Sequence, residues 1–230
     1  MTPRALSGPR LPPQRGKPTH LIVLLHGYGA DGNDLIGLAP FLQRALPTAA
    51  FVAPNAPERC EGAPSGHQWF AITRLDPKDM RKGVESASAS LDAFLDSELA
   101  RLELPPDRLA LLGFSQGTMM SLHVGLSRKT KPMAIVGFSG LLAGEPPQLA
   151  SDTPPVLLIH GDQDPMIPVG AMFDAAARLG RAGACVQWHV APGIGHSIDE
   201  TGLQLGAVHL TMALRGLLKR SAADVACALR

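Results

Sequence analysis

Leu109-Ala110-Leu111-Leu112-Gly113-Phe114-Ser115-Gln116-Gly117 is the stretch on which the fold of this chain turns. Four consecutive apolar residues predict a strand buried on both faces. Gly113, Ser115 and Gly117 then supply G-x-S-x-G, and a helical segment follows. The glycines permit a tight, strained strand-to-helix turn that pushes the serine oxygen into a pocket. The helix behind it aims its positive N-terminal end at the same point. An alcohol is a weak nucleophile at neutral pH, and this geometry is one way to activate it. With 24 glycines in 230 residues the five-residue pattern alone is weak. The strand before it and the partners downstream give it force.

On either side, strands and helices alternate. Continuous apolar runs at Leu21–Leu25, Phe51–Ala53, Leu109–Leu112, Ala134–Val136 and Val156–Ile159 predict strands of a parallel sheet. Val186–Val190 alternates enough to lie nearer an edge. Between them, Val84, Ala87, Leu91, Leu95, Leu99 and Leu102 recur at helical spacing, a second helix runs from about Val169 to Arg181, and a third carries Leu203, Ala207, Leu210, Leu214 and Leu217 on one stripe. Met119 and Met120, behind the serine, are expected in the core. This order predicts an α/β fold: a mostly parallel central sheet with helices on both faces and no separate lid domain. In such sheets the functional site lies at the carboxyl ends of the strands, where every motif below falls.

Bulk properties narrow the class. A chain of 230 residues is long enough for one domain with a sizeable core, and a net charge of +1 calls for neither nucleic acid nor an anionic membrane. No apolar stretch is long enough to span a bilayer, so no stable membrane association is expected. Three scattered cysteines (Cys60, Cys185, Cys227) fit free thiols in a reducing cytoplasm better than a disulfide framework or a zinc site. Residues 1–18, with Arg4, Arg10, Arg15 and Lys17 among prolines, are expected to form a flexible tail; 19–221 form the single domain, and 222–230 a C-terminal tail. Pro54 to Asp79 lacks periodicity and is expected to be a long functional loop.

A serine nucleophile needs a base, and the base needs an orienting acid. Of eight histidines, His196 sits in Gly193-Ile194-Gly195-His196-Ser197, a glycine-rich loop after a strand and before the last helix. His26 and His160 also follow strands, but each precedes a glycine and is assigned to shaping a turn. His123 is expected to face away from the pocket, and His189 lies within a strand. The acid belongs between serine and histidine in chain order. His160-Gly161-Asp162-Gln163-Asp164-Pro165-Met166-Ile167-Pro168 follows a strand there. Asp164, further round the loop, is better placed to reach His196. Asp162 is expected to cap the turn, and Asp199 and Asp152 are more remote alternatives. An attacked carbonyl becomes an oxyanion and needs two preorganised donors. The backbone N–H of Gln116 is one candidate. The other is Tyr28, in the loop His26-Gly27-Tyr28-Gly29-Ala30-Asp31-Gly32. That loop has neither the G-x-x-x-x-G-K-[ST] nor the G-x-G-x-x-G needed for phosphate binding.

The strand-HG-x-G loop, G-F-S-Q-G, Gly137-Phe138-Ser139-Gly140-Leu141, the HGD-x-D-P-x-x-P run and G-x-GHS occur here in the order found in the phospholipase/carboxylesterase family of α/β-hydrolases. The chain resembles that family, which includes acyl-protein thioesterases and small bacterial carboxylesterases, over roughly residues 18–220. The resemblance implies an α/β-hydrolase fold, a Ser115–Asp164–His196 triad, oxyanion donors at Tyr28 and Gln116, and Trp69-Phe70 in a loop lining an acyl pocket. It implies a serine carboxylesterase working through an acyl-serine, with no metal and no organic cofactor. A thioesterase or lysophospholipase with the same triad is the alternative; a non-catalytic binding protein and a serine peptidase fit less well. Trp69, Phe70, Met166 and Ile167 are the candidate substrate-binding residues, in an open cleft for small esters or thioesters of short to medium acyl length. The chain is expected to be a monomer or a homodimer, with an apolar rim around Trp69 as a possible contact.

Overall fold

The computed structural model describes residues 3–60, 63–72 and 76–218. In chain order the elements are β1 (Arg10–Leu11), β2 (His20–Leu25), α1 (Gly32–Ile36), α2 (Ala39–Ala45), β3 (Ala49–Val52), β4 (Glu58–Cys60), β5 (Ala63–Gln68), α3 (Pro77–Arg101), β6 (Leu109–Phe114), α4 (Gln116–Ser127), β7 (Ala134–Phe138), β8 (Val156–Gly161), α5 (Gly170–Arg181), β9 (Val186–Ala191) and α6 (Glu200–Leu214). Seven strands form one sheet in the order β1-β3-β2-β6-β7-β8-β9. All its pairings are parallel except β1 with β3. Each strand predicted from an apolar run is present.

The apolar runs are continuous because both faces of the sheet are covered. Leu21, Val23 and Leu25 of β2 pack with α3 and α4, whereas Ile22 and Leu24 pack with α1, α2 and α6. Beyond β7, a further cluster joins Leu122 and Leu126 of α4 to Met172 and Leu179 of α5. Burying each such side chain contributes about 1.5–3 kcal/mol, so β2 and β6 occupy the middle of the sheet. Met119 and Met120 are in this core.

Two expectations change. Residues 3–18 are packed against the domain: Arg10 and Leu11 pair antiparallel with Val52 and Phe51, and the Arg10 guanidinium binds the buried carboxylate of Glu98 on α3 at 2.5 Å. The segment from Pro54 onward contains the β4–β5 hairpin, with Glu58 opposite Gln68. Short helices α1 and α2 follow the first loop, α1 beginning at a capping box between Asp31 and Asp34. Residues 222–230, expected as a C-terminal tail, lie outside the described residues.

Candidate active site

The strand-to-helix elbow at Ser115 is built by close backbone approach. A Cβ at Gly113 would lie 2.3 Å from Gly117 O, and one at Gly117 would lie 1.8 Å from Leu25 O. Only glycine lets α4 leave β6 so sharply. Ser115, between them, has φ 54 and ψ −116, a conformation non-glycine residues rarely adopt. It is held there by its N–H, which donates to Phe138 O on β7 at 2.8 Å. Thr118 Oγ1 braces the turn by bonding both Gly113 O and Phe138 O at 2.8 Å. Ser115 is the N-cap of α4, yet its side chain makes no capping bond. Ser139, in the matching place after β7, also has positive φ, at 47.

The loop after β2 packs directly against this serine: a Cβ at Gly27 would sit 3.2 Å from Ser115 Cβ. His26 anchors the loop from beneath. Its Nε2 accepts from Ala56 N–H at 3.0 Å, so its Nδ1 carries the proton and donates to Gly27 O at 2.7 Å. Burial pushes this imidazole below its usual pKa, consistent with the neutral form. Above, Gly29 N–H donates to His67 O at 2.9 Å and His67 N–H to Ala30 O at 2.7 Å. Tyr28 is thereby fixed between two clamped residues, with its side chain exposed.

The side chain of Gln116 makes contacts that sequence reasoning missed. Its buried side chain accepts from Trp69 N–H and donates to Phe70 O, both at 2.8 Å. Trp69 Nε1–H donates to His26 O at 3.0 Å. Trp69 and Phe70 are 1% and 3% exposed, so they do not form the exposed apolar rim expected as a dimer contact. They pack in the core beside α3 and α4 and tie the elbow to the loop holding Tyr28. Ile167 is also buried, and of the four expected substrate-binding residues only Met166 is exposed.

Asp164 and His196 meet. His196 Nδ1 is 2.7 Å from Asp164 Oδ2, while Asp164 Oδ1 accepts from Met166 and Ile167 N–H, each at 2.9 Å. Burial pulls this carboxyl upward, but the N–H groups of Ile167, His196 and Met166 outweigh it and hold it below the usual carboxylate pKa. The His196 ring packs on Phe114, the residue before Ser115, with centroids 4.9 Å apart. No hydrogen bond joins His196 to Ser115 among the described residues; such bonds often tighten only with substrate. Asp162 caps the neighbouring loop, accepting from Gly193 N–H at 2.7 Å, and thereby ties the His196 loop to the end of β8. Asp199 is the N-cap of α6, and Asp152 lies exposed before β8. His160, assigned to a turn, instead places Nε2 3.2 Å from Asp164 Oδ2. His123 lies away from this site in a groove with Asp92 and Arg128.

The model of the phospholipase/carboxylesterase family matches residues 8–214. The chain is 26% identical over 190 residues to esterase YpfH of Escherichia coli, covering 83% of this chain and 81% of that one. It is 34% identical over 174 residues to acyl-protein thioesterase 1 of Kluyveromyces lactis, covering 68% and 74%. The solved structure of esterase PE8 superposes with a TM-score of 0.83 at 40% identity, over 94% of this chain and all of that one. With a match spanning nearly the whole sheet and both loops that flank Ser115, the chain belongs to the phospholipase/carboxylesterase family of α/β-hydrolases.

Proposed function

We propose that this protein is a carboxylesterase that cleaves esters of short to medium acyl chains through an acyl-Ser115 intermediate. One observation carries the mechanism: a histidine bonded to a buried carboxylate at 2.7 Å, packed beside a serine on a strained elbow. His196 takes the Ser115 proton as Oγ attacks the ester carbonyl. Asp164 holds the imidazole in the tautomer with Nδ1–H and stabilises the imidazolium. Backbone N–H groups of Tyr28 and Gln116 receive the developing oxyanion, each such donor being worth about 3 kcal/mol of barrier. The alcohol leaves with the proton from His196, and water, deprotonated by His196, releases the acid and restores Ser115. Proton and acyl transfer are done by side chains and amides, so no cofactor is invoked. The three scattered cysteines support a cytoplasmic place of action.

The strands and helices follow one another with no inserted domain among the described residues, which supports an open cleft. The acyl-protein thioesterase relative favours a second possibility, thioester hydrolysis by the same triad. The test is kcat/KM on p-nitrophenyl esters of increasing length beside matched thioesters, with Ser115→Ala as blank. A short-ester maximum abolished by the substitution is expected. A maximum at long chains, or a clear thioester preference, transfers the assignment to the thioesterase branch.

A further inference from the structure

Asp164 has a second imidazole against it. His160 lies on β8, paired with Val190 of β9, and is 1% exposed. Its Nε2 is 2.8 Å from Ile167 O and 3.2 Å from Asp164 Oδ2. One nitrogen faced by two oxygens carries a hydrogen. Nδ1 is buried and has no partner among the described residues. An imidazolium would bury a second, charged N–H with no acceptor, which is costly. The ring is therefore the neutral Nε2–H tautomer.

These contacts close a circuit. Ile167 N–H donates to Asp164 Oδ1 at 2.9 Å, Ile167 O accepts from His160 Nε2–H, and the same N–H faces Asp164 Oδ2. With Met166 N–H on Oδ1 and His196 on Oδ2, three N–H groups bond the carboxylate, and the His160 N–H that holds Ile167 O lies 3.2 Å from Oδ2 as an electrostatic contact. The carboxylate cannot rotate without abandoning one of them. His160 itself is fixed by the sheet, so the circuit refers the plane of Asp164 to β8.

We propose that His160 is a positioning residue for the Asp164–His196 pair, fixing the carboxylate plane so that Oδ2 faces His196. The proposal rests on the triad assigned above. A neutral N–H suits this place: by holding Ile167, whose own N–H binds Oδ1, it orients the anion without cancelling the charge that stabilises the imidazolium of His196. A lysine or arginine here would hold the same oxygen but compensate it.

The test compares His160→Leu, which removes the donor, with His160→Gln, which keeps an N–H at similar reach. Ester-hydrolysis kinetics, thermal melting and the acid limb of the kcat/KM profile, which reports His196, are read for each. His160→Leu is expected to lower kcat by about 10- to 100-fold with KM within about two-fold. His160→Gln recovers most of kcat, and the acid limb moves in the first variant and returns in the second. If His160→Leu does not fold, His160→Asn, the same amide one methylene shorter and out of reach, replaces it. The proposal is overturned by unchanged kcat, or by a loss of kcat that follows melting, leaves the acid limb in place and is not relieved by glutamine. Ser115→Ala separates the two levels. An active Ser115→Ala protein removes the triad and this proposal together; an inactive one beside a normal His160→Leu removes only the role of His160.

Discussion

Gly117→Ala tests whether the elbow and the oxyanion loop share one tight junction. The added Cβ would lie 1.8 Å from Leu25 O, 2.4 Å from Leu25 C and 2.8 Å from His26 O, where ordinary contact begins at 3.4 Å. The shortfall at Leu25 O is about 1.6 Å, and every atom in the way is backbone. Leu25 ends a strand paired with β6, so it cannot swing aside as a side chain would. The start of α4 must move away from the end of β2, separating Gln116 N–H from Tyr28 N–H. A displacement near 1 Å costs about 100-fold in rate, and overpacking costs about 1–3 kcal/mol of stability. The assay is kcat/KM on a short p-nitrophenyl ester, with urea unfolding alongside. Gly180→Ala is the control: that exposed glycine of α5 has no atom within 4 Å of its Cβ position. It is expected to raise stability by about 0.5–1 kcal/mol with activity unchanged. A Gly117→Ala protein with activity within about three-fold of wild type and undiminished stability would refute the reasoning.

Asp164→Asn is expected to lower kcat by about 10⁴-fold, measured on the same ester. Because the Asp164 carboxyl lies below its usual pKa, its stabilisation is present above the unfolded value near 3.9 and is lost as pH falls through the depressed folded value. The stability gap between wild type and Asp164→Asn therefore narrows between neutral pH and about pH 3, as urea unfolding at both will show. Arg10→Ala removes bonds to the buried Glu98 carboxylate and is expected to cost about 1–2 kcal/mol; an unchanged urea midpoint would return the first residues to the status of a tail. Trp69→Phe deletes the indole donor to His26 O and is expected to cost about 1–3 kcal/mol in urea unfolding, with kcat falling more than KM rises.

The central strands were legible because sheet burial on two faces writes itself as unbroken apolar runs. The loops carrying Ser115 and Asp164 were legible because each follows such a run, and the loop carrying His196 because its glycines follow the alternating Val186–Val190. What escaped depends on distant partners. Arg10–Leu11 becomes a strand only by pairing with residues some forty positions on, and two residues among prolines have no period. The β4–β5 hairpin does not alternate in polarity, and α1 is five residues long, announced only by its Asp31–Asp34 box. That the aromatics at 69 and 70 are buried is not written locally, because the Gln116 amide that draws their backbone inward lies 47 and 46 positions on. His160 looks like a turn residue because nothing local says that the loop after it folds back over its ring.

Ser115 occupies a backbone conformation that costs about 1–3 kcal/mol and is imposed by its neighbours on β2, β7 and α4. The elbow is therefore a gauge of the whole assembly. On warming, it is expected to relax when the packing around it loosens, before the helices themselves unwind. Hydrolysis is then expected to fade at temperatures where circular dichroism still reports an intact fold, an order that paired activity and melting curves will check.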